Sequence, residues 1–212
     1  MSISIVCALM IGRKGSVGFP GKNIYPVLGR PLAAYPLLAA KESDHIGRIF
    51  VSTDCPEISK IAKDHDAELI DRPAELASKE ALGEDAFVHG YREIKRRLKE
   101  EGLDIELVVL LFANGATLNR DLIDKGIAVL RKNGSFDSAV TTSVYNMWSP
   151  LRARKLDADG CLQPMVPFET FGDPRTLNCD RDSQGNVHFA DMAVSVVRPA
   201  CLENLADGLL PQ

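Results

Sequence analysis

The segment from Gly12 to Asn23, G-R-K-G-S-V-G-F-P-G-K-N, concentrates residue types that can grip an anion. Gly12, Gly15, Gly18 and Gly21 let backbone N–H groups turn toward one point. Arg13 can hold phosphate oxygens through two N–H groups at once, and Lys22 adds a mobile point charge. This chemistry is the binding and neutralisation of a phosphate chain. Two well-known loops are excluded by spacing. Lys22 is followed by Asn23, so G-x-x-x-x-G-K-[ST] is not met. G-x-x-G-x-x-G is present, but no helix pattern opens directly from it, so a dinucleotide fingerprint fits no better. A plain surface loop is the alternative reading.

Charge placement favours the anion. The 212-residue chain carries a net charge of −4, which argues against a general nucleic-acid binder. Yet no Asp or Glu precedes Glu42, whereas Arg13, Lys14, Lys22, Arg30 and Lys41 all do. A basic, acid-free first segment in an acidic chain points to a local polyanion site.

The elements that would position this loop alternate in type. Residues 2–11 are nearly all apolar, as in a strand buried on both faces. Strands are also expected at 48–53, 68–70, 107–112, 137–144 and 188–197. Helices are expected from Pro31, where Pro36 should kink or shorten the helix, and at 56–65, 80–101 and 120–132. A short helix should begin at C-L-E-N-L, after the last strand. Such alternation implies right-handed crossovers and a mostly parallel sheet with helices on both faces. In an open sheet of this kind, ligands bind beyond the carboxyl ends of the strands, where the 12–23 loop falls. The pattern changes near Trp148. A hairpin turning at Asp157 to Gly160 and an aperiodic stretch follow, read as an insertion at about 145–187 in one α/β domain spanning 1–212.

Other candidates are weaker. Arg175 and Arg181 could each pair with a substrate carboxylate, or lie on a surface hairpin turning at 182–186 with internal Asp–Arg pairs. Asp54 ends a strand on the ligand side, or caps the helix near Pro56. The four histidines and five cysteines show no metal spacing, so reduced thiols in a cytoplasmic protein are expected. No apolar run is long enough to cross a membrane, and the N-terminus lacks the basic n-region of a signal peptide.

The Gly12 to Asn23 stretch resembles the N-terminal signature of acylneuraminate cytidylyltransferases, roughly A-R-x-G-S-K-G-x-x-x-K-N. V-S-T-D at 51–54 and D-R-P-A-E-L-A at 71–77 fall at the spacing shown by that family, and the resemblance covers about 3–145. It implies a Rossmann-like nucleotidyltransferase sheet and a first loop that holds the CTP triphosphate. Arg13, Ser16, Lys22, Asn23 and Arg72 occupy matching positions, with Gly12 and Gly15 in the same loop. Arg13 and Lys22 would stabilise the triphosphate and the departing pyrophosphate, with Mg²⁺ as cofactor. The acceptor implied is a nonulosonic, sialic-acid-like sugar. The alternatives are 3-deoxy-octulosonic acid, a sugar or polyol phosphate, or a nucleotide-binding protein that has lost catalysis.

The sequence also departs from the family pattern. Val17 replaces a lysine, and Phe112 to Leu118 replaces Q-P-T-S-P-L-R, so Asn114 stands in an altered pocket. The sequence stops at L-L-P-Q before any counterpart of the family's late D-x-D element, which helps bind metal, so either the sequence is truncated or the metal site differs. Asp191 aligns roughly with an asparagine before the family's last sheet strand, where an acid is either a metal ligand or a strand-end acid in solvent. The insertion carries Tyr145, Met147, Trp148, Leu151, Phe168 and Phe171, too many apolar groups for its size to bury. A homodimer built through it is expected, and family members commonly exchange an inserted element across a dimer.

Overall fold

The computed structural model describes residues 3–15, 18–178, 180 and 185–205. The chain divides into two compact units, Met1–Thr141 with Met192–Gln212, and Thr142–Asp191. The first unit is built on β1 (Ile3–Ile11), whose cross-strand neighbours are β4 (Ile46–Thr53) and β6 (Leu103–Phe112), both parallel to it. β5 (Glu68–Asp71) extends the parallel set beside β4. β10 (His188–Val197) runs antiparallel to β6, and β7 (Ser138–Val144) follows it in the order β5-β4-β1-β6-β10-β7. The expected mixed α/β class with a mostly parallel sheet is observed.

β1 lacks hydrophobic alternation because both of its faces are covered. Val6, Ala8 and Met10 join a core that includes Leu37 of α1 (Ala34–Glu42), Ile58 of α2 (Pro56–Asp64) and Ile127 of α4 (Arg120–Lys132). Cys7, Leu9 and Ile11 face Phe87, Tyr91 and Ile94 of α3 (Gly83–Glu100) and Leu202 of α5 (Pro199–Glu203). Each fully buried Leu or Ile here contributes about 1.5–3 kcal/mol of hydrophobic stabilisation. Local signals agree with the packing. Asn119 caps α4, its Oδ1 accepting from Leu122 N at 3.0 Å. α3 has Glu84 and Asp85 in its first turn and Arg97 and Lys99 in its last, matching the helix dipole.

Several boundaries differ from the sequence expectations. The helix expected from Pro31 begins at Ala34. Arg30–Pro31 instead form β3, paired with β2 (Pro26–Val27) in a hairpin whose turn residues Leu28 and Gly29 both have positive φ. Pro36 is then the third residue of α1, inside the first turn, where no intrahelical N–H is required and no kink is forced. β6 begins at Leu103 rather than residue 107, and the long helix begins at Gly83 rather than residue 80. α4 and β10 have the expected limits.

Asp54 does not cap α2. With Pro56 at the first helical position, Cys55 is the N-cap, and its N–H donates to Thr53 Oγ1 at 3.0 Å. Asp54 Oδ1 instead accepts from Lys14 N at 3.0 Å, fastening the glycine loop to the end of β4.

The second unit contains a hairpin of β8 (Arg154–Leu156) and β9 (Leu162–Pro164), turning at Asp157 to Gly160 as expected. Around it lie short 3₁₀ turns. Tyr145 sits within 6.1 Å of both Trp148 and Phe189, measured between ring centroids. Arg154 stacks over Phe168 at 5.1 Å. Trp148 is 73 % exposed and Met147 57 %. Among the described residues, no helix is long and apolar enough to cross a membrane.

Candidate active site

The strand order reverses direction at β1: the chain leaves β1 for β4 on one side and later returns to β6 on the other. That switch point opens a crevice beyond the carboxyl ends of β1 and β6, the place where open α/β sheets bind ligands. Register fixes its floor. Ile11 lies opposite both Ser52 and Phe112, Gly12 N donates to Ser52 O at 3.2 Å, and Ala113 N donates to Ile11 O at 3.0 Å. Gly12 is required by this close approach, because a Cβ there would stand 2.7 Å from Ala113 Cβ.

The crevice has a volume of about 310 Å³ and is bordered by Gly12, Arg13, Gly15, Lys22, Asn23, Arg72 and Asn114. These residues come from three separate stretches of sequence, and the fold brings them to one cleft. Gly83 and Ala86 of α3, Leu76, Ala81, Leu82 and Phe112 complete the walls. Among the described residues, three cations line the cleft and no carboxylate does. The donor set therefore suits a polyanion.

Arg13 donates through Nη1 to the backbone carbonyls of Ser78 and, at 3.4 Å, of Ala77. Arg72 is 8 % exposed. Its Nη2 donates to Ser52 O at 2.8 Å and its Nε to Ser52 Oγ at 3.3 Å. Burial pulls its pKa down to about 10, partly offset by Asp54, while Arg13 adds repulsion. Asn23 is 9 % exposed and donates through Nδ2 to Arg13 O at 3.4 Å, while its Oδ1 is buried with no hydrogen-bond partner. A buried acceptor left open beside a cleft calls for a donor on the ligand.

The remaining candidates belong to the second unit or fall outside the described residues. Arg175 is in the second unit, exposed, with its Nη2 donating to Asp173 Oδ2 at 2.8 Å. This is the internal Asp–Arg pair of the alternative reading. Asp191 is also in that unit, its Oδ2 accepting from Ser143 Oγ at 2.7 Å. Ser16, Val17 and Arg181, and the turn expected at 182–186 up to Gln184, lie outside the described residues. Among the described residues, no group of three or more His, Cys, Asp or Glu could hold a metal ion.

Sequence reasoning missed Ser52, Ala81, Leu82 and Ala86, whereas Leu76 lies in the D-R-P-A-E-L-A stretch that it singled out. Ser52 sits inside the V-S-T-D stretch, but its role appears only when β4 and β5 pair and bring Arg72 beside it. Nothing in the type or spacing of Ala81, Leu82 and Ala86 marks them.

Fold and cleft together define an α/β protein with a glycine-rich, cationic loop at the switch point of a mostly parallel sheet. A family model described as cytidylyltransferase matches residues 7–195, and the chain belongs to that family. It is 27% identical over 151 residues to a Helicobacter pylori protein named pseudaminic acid cytidylyltransferase and UDP-2,4-diacetamido-2,4,6-trideoxy-beta-L-altropyranose hydrolase, covering 71% of this chain and 28% of that protein. It is 32% identical over 84 residues to an Escherichia coli N-acylneuraminate cytidylyltransferase, covering 40% of this chain and 20% of the relative. A Legionella pneumophila CMP-N,N'-diacetyllegionaminic acid synthase is 26% identical over 168 residues, covering 79% of this chain and 68% of that protein. This chain thus spans less than a third of the first two relatives. Among solved structures, a CMP:2-keto-3-deoxy-manno-octonic acid synthetase complexed with CTP shares the fold, with a TM-score of 0.67 at 14% identity over 99% of this chain and 79% of the other.

Proposed function

We propose that this chain transfers CMP from CTP to a hydroxyl of a carboxylated, nonulosonic-acid type sugar, with release of pyrophosphate. The observation that carries this reading is the cationic, carboxylate-free cleft of Arg13, Lys22 and Arg72 at the switch point. The acceptor class is supported by the printed names of the relatives, which are synthases and transferases of acidic sugars.

In this reading the loop from Gly12 to Asn23 wraps the triphosphate. Arg13 exchanges its two carbonyl acceptors for phosphate oxygens, which bind a guanidinium more strongly than neutral carbonyls do. Lys22 neutralises charge on the departing pyrophosphate. Asn23 Oδ1 accepts from the exocyclic amine of cytosine, and Arg72 donates to its ring carbonyl, so the pair selects against uracil, which has no amine. Asn114 borders the cleft and is proposed to meet the acceptor; Arg175 and Arg181 are proposed separately, as carboxylate-binding residues of the second unit. Rate enhancement then comes from positioning and charge neutralisation.

The described cleft offers cations and neutral donors, so its residues do not form a magnesium site. Mg²⁺ enters the proposal as the ion that accompanies CTP, and Asp191 is proposed separately as a metal ligand of the second unit, with no step derived through either. A homodimer formed through the insertion and a cytoplasmic location complete the reading. Pyrophosphate release measured with each of the four NTPs against a panel of acidic sugars tests it. Release restricted to CTP plus a nonulosonic acid supports the proposal; equal release with ATP or GTP rejects the cytidine preference.

A further inference from the structure

Asp54 is not among the residues bordering the cleft, yet the strand end on which it stands organises the cleft's cations. β4 stops at Thr53, and the residues around that point hold three pieces of the site. Ser52 O accepts from Gly12 N at 3.2 Å and from Arg72 Nη2 at 2.8 Å. Thr53 O accepts from Arg72 N at 3.2 Å. Asp54 Oδ1 accepts from Lys14 N at 3.0 Å. Gly12 and Lys14 flank Arg13, so the backbone of Arg13 is pinned to the end of β4 on both sides. Its carbonyl accepts from Asn23 Nδ2 at 3.4 Å, which ties the far end of the loop to the same residue. Of the two acceptors that hold the loop backbone, Ser52 O belongs to the main chain and Asp54 Oδ1 to a side chain. The second is charged, which makes it the stronger anchor.

The charge has its own effect. Arg13 and Arg72 border one cleft with Lys22, and among the described residues no carboxylate lines it. Burial pulls the Arg72 pKa down to about 10, Asp54 opposes this, and Arg13 adds to it. Asp54 thus offsets the repulsion between the two arginines. Glu57, the acid in the first turn of α2, feels the charge of Lys14 but is engaged by Cys55 Sγ at 3.1 Å. Asp54 is exposed and stands outside the cleft lining, so water screens its charge from a bound polyanion.

We propose that Asp54 is a positioning residue: its carboxylate, bonded to the Lys14 N–H, aims Arg13 at the phosphates and lets Arg13 and Arg72 stay charged side by side. The proposal rests on the transferase reading above and names what sets the geometry of its cations.

Tripolyphosphate, which has neither base nor sugar, is the first probe, and CTP is the second. Binding of each is measured by calorimetry near neutral pH for the unaltered protein, Asp54→Ala and Asp54→Asn. Asp54→Ala removes the acceptor and should weaken both ligands by about tenfold. Asp54→Asn keeps an acceptor oxygen for Lys14 N–H. It should restore the affinity, or raise it, because a negative charge beside a polyanion is gone. Hydrogen exchange at the Lys14 amide should be faster in Asp54→Ala than in the other proteins, which ties the loss to this bond. The alkaline fall in tripolyphosphate binding, carried by the Arg72 proton, should begin at lower pH in Asp54→Asn than in the unaltered protein. Equal affinity in all the proteins overturns the inference and leaves the transferase reading intact. So does an Asp54→Asn as weak as Asp54→Ala, or an alkaline limb that does not move. If tripolyphosphate binds as expected and CTP does not bind, the cytidine reading falls and the role of Asp54 stands. If the unaltered protein binds neither, the phosphate reading of the cleft falls and this inference with it. Should Asp54→Ala fail to fold, the alkaline limb of Asp54→Asn carries the decision.

Discussion

The guanidinium of Arg13 reaches across the cleft to the backbone carbonyl of Ser78, 65 positions later in the chain. This contact ties the phosphate loop to the wall formed by Leu76, Ala81 and Leu82. Arg13 is thus paired with neutral acceptors that a phosphate could displace. Arg13→Ala and Lys22→Ala should each lower kcat/KM for CTP by about 100-fold, the scale of removing one preorganised charge from a transition state. Circular dichroism and thermal unfolding should change little. Turnover within twofold of the unaltered protein for both variants would remove the loop from the mechanism.

Arg72 separates stability from function. It is a buried cation held by Ser52 and without a carboxylate partner in contact, so folding bears its desolvation. Methionine has similar length and no charge. Arg72→Met should leave the melting temperature unchanged or raise it, while CTP affinity falls by about 10- to 100-fold through loss of a charged donor. Calorimetry of unfolding and of CTP binding gives both numbers. A lower melting temperature with unchanged affinity would make Arg72 a structural residue only.

The legible parts of the molecule were those with long periodic or uniform patterns. β1, α4 and β10 carry enough residues for their burial to show in the sequence. The β2–β3 hairpin did not show, because two-residue strands have no periodicity and Leu28 is not a residue type that announces positive φ. The glycine loop and its cations stand out from residue type and spacing alone, whereas Arg72 is marked only through the resemblance. Its position depends on the β4–β5 register, in which Thr53 pairs with Asp71. Of the two readings of Asp54, the helix cap fails by one residue, since Pro56 makes Cys55 the cap, while its place at the end of β4 holds and frees it for Lys14.

Gly12 is a packing constraint as well as a loop residue. An alanine Cβ would meet Ala113 Cβ at 2.7 Å and Ile58 Cδ1 at 3.1 Å. Ile58 can yield, but Ala113 is fixed by its hydrogen bond to Ile11 O. Gly12→Ala should therefore cost about 1–3 kcal/mol of stability, the usual cost of overpacking. Gly15→Ala, with open space at its Cβ, should cost much less. Urea unfolding of the two variants decides this, and equal midpoints would refute the close-approach argument.

Glu93 links stability to acid. Hydrogen bonds from Arg96, and secondarily from Arg97, hold its carboxyl down at about 2, against an ordinary 4.5, despite partial burial. A lowered carboxylate pKa stabilises the fold above pH 4.5, and that contribution is lost as pH falls from 4.5 toward 2. Because the cluster is partly solvated, Glu93→Gln should cost only about 0.5 kcal/mol at pH 7. The difference from the unaltered protein should shrink through that window. A difference that is constant from pH 7 to pH 3 would assign the effect to packing.

The last prediction concerns assembly. The second unit leaves Tyr145, Met147, Trp148, Leu156 and Leu162 each more than half exposed. Aromatic residues and methionine are enriched in the buried centres of interfaces, and a small hairpin gains little stability from solvated apolar groups. Tyr145, Trp148 and Phe189 form one aromatic cluster, and Phe168 holds Arg154 beside the hairpin. A second copy pairing through this surface would cover those rings. Light scattering at tens of micromolar, on the order of ordinary assay concentration, should report a dimer. Replacing Trp148 and Phe168 together by Ser and Gln should shift it to monomer without loss of the first unit's thermal transition. A protein that is monomeric before the change refutes the dimer. One that stays dimeric after it places the interface on another surface.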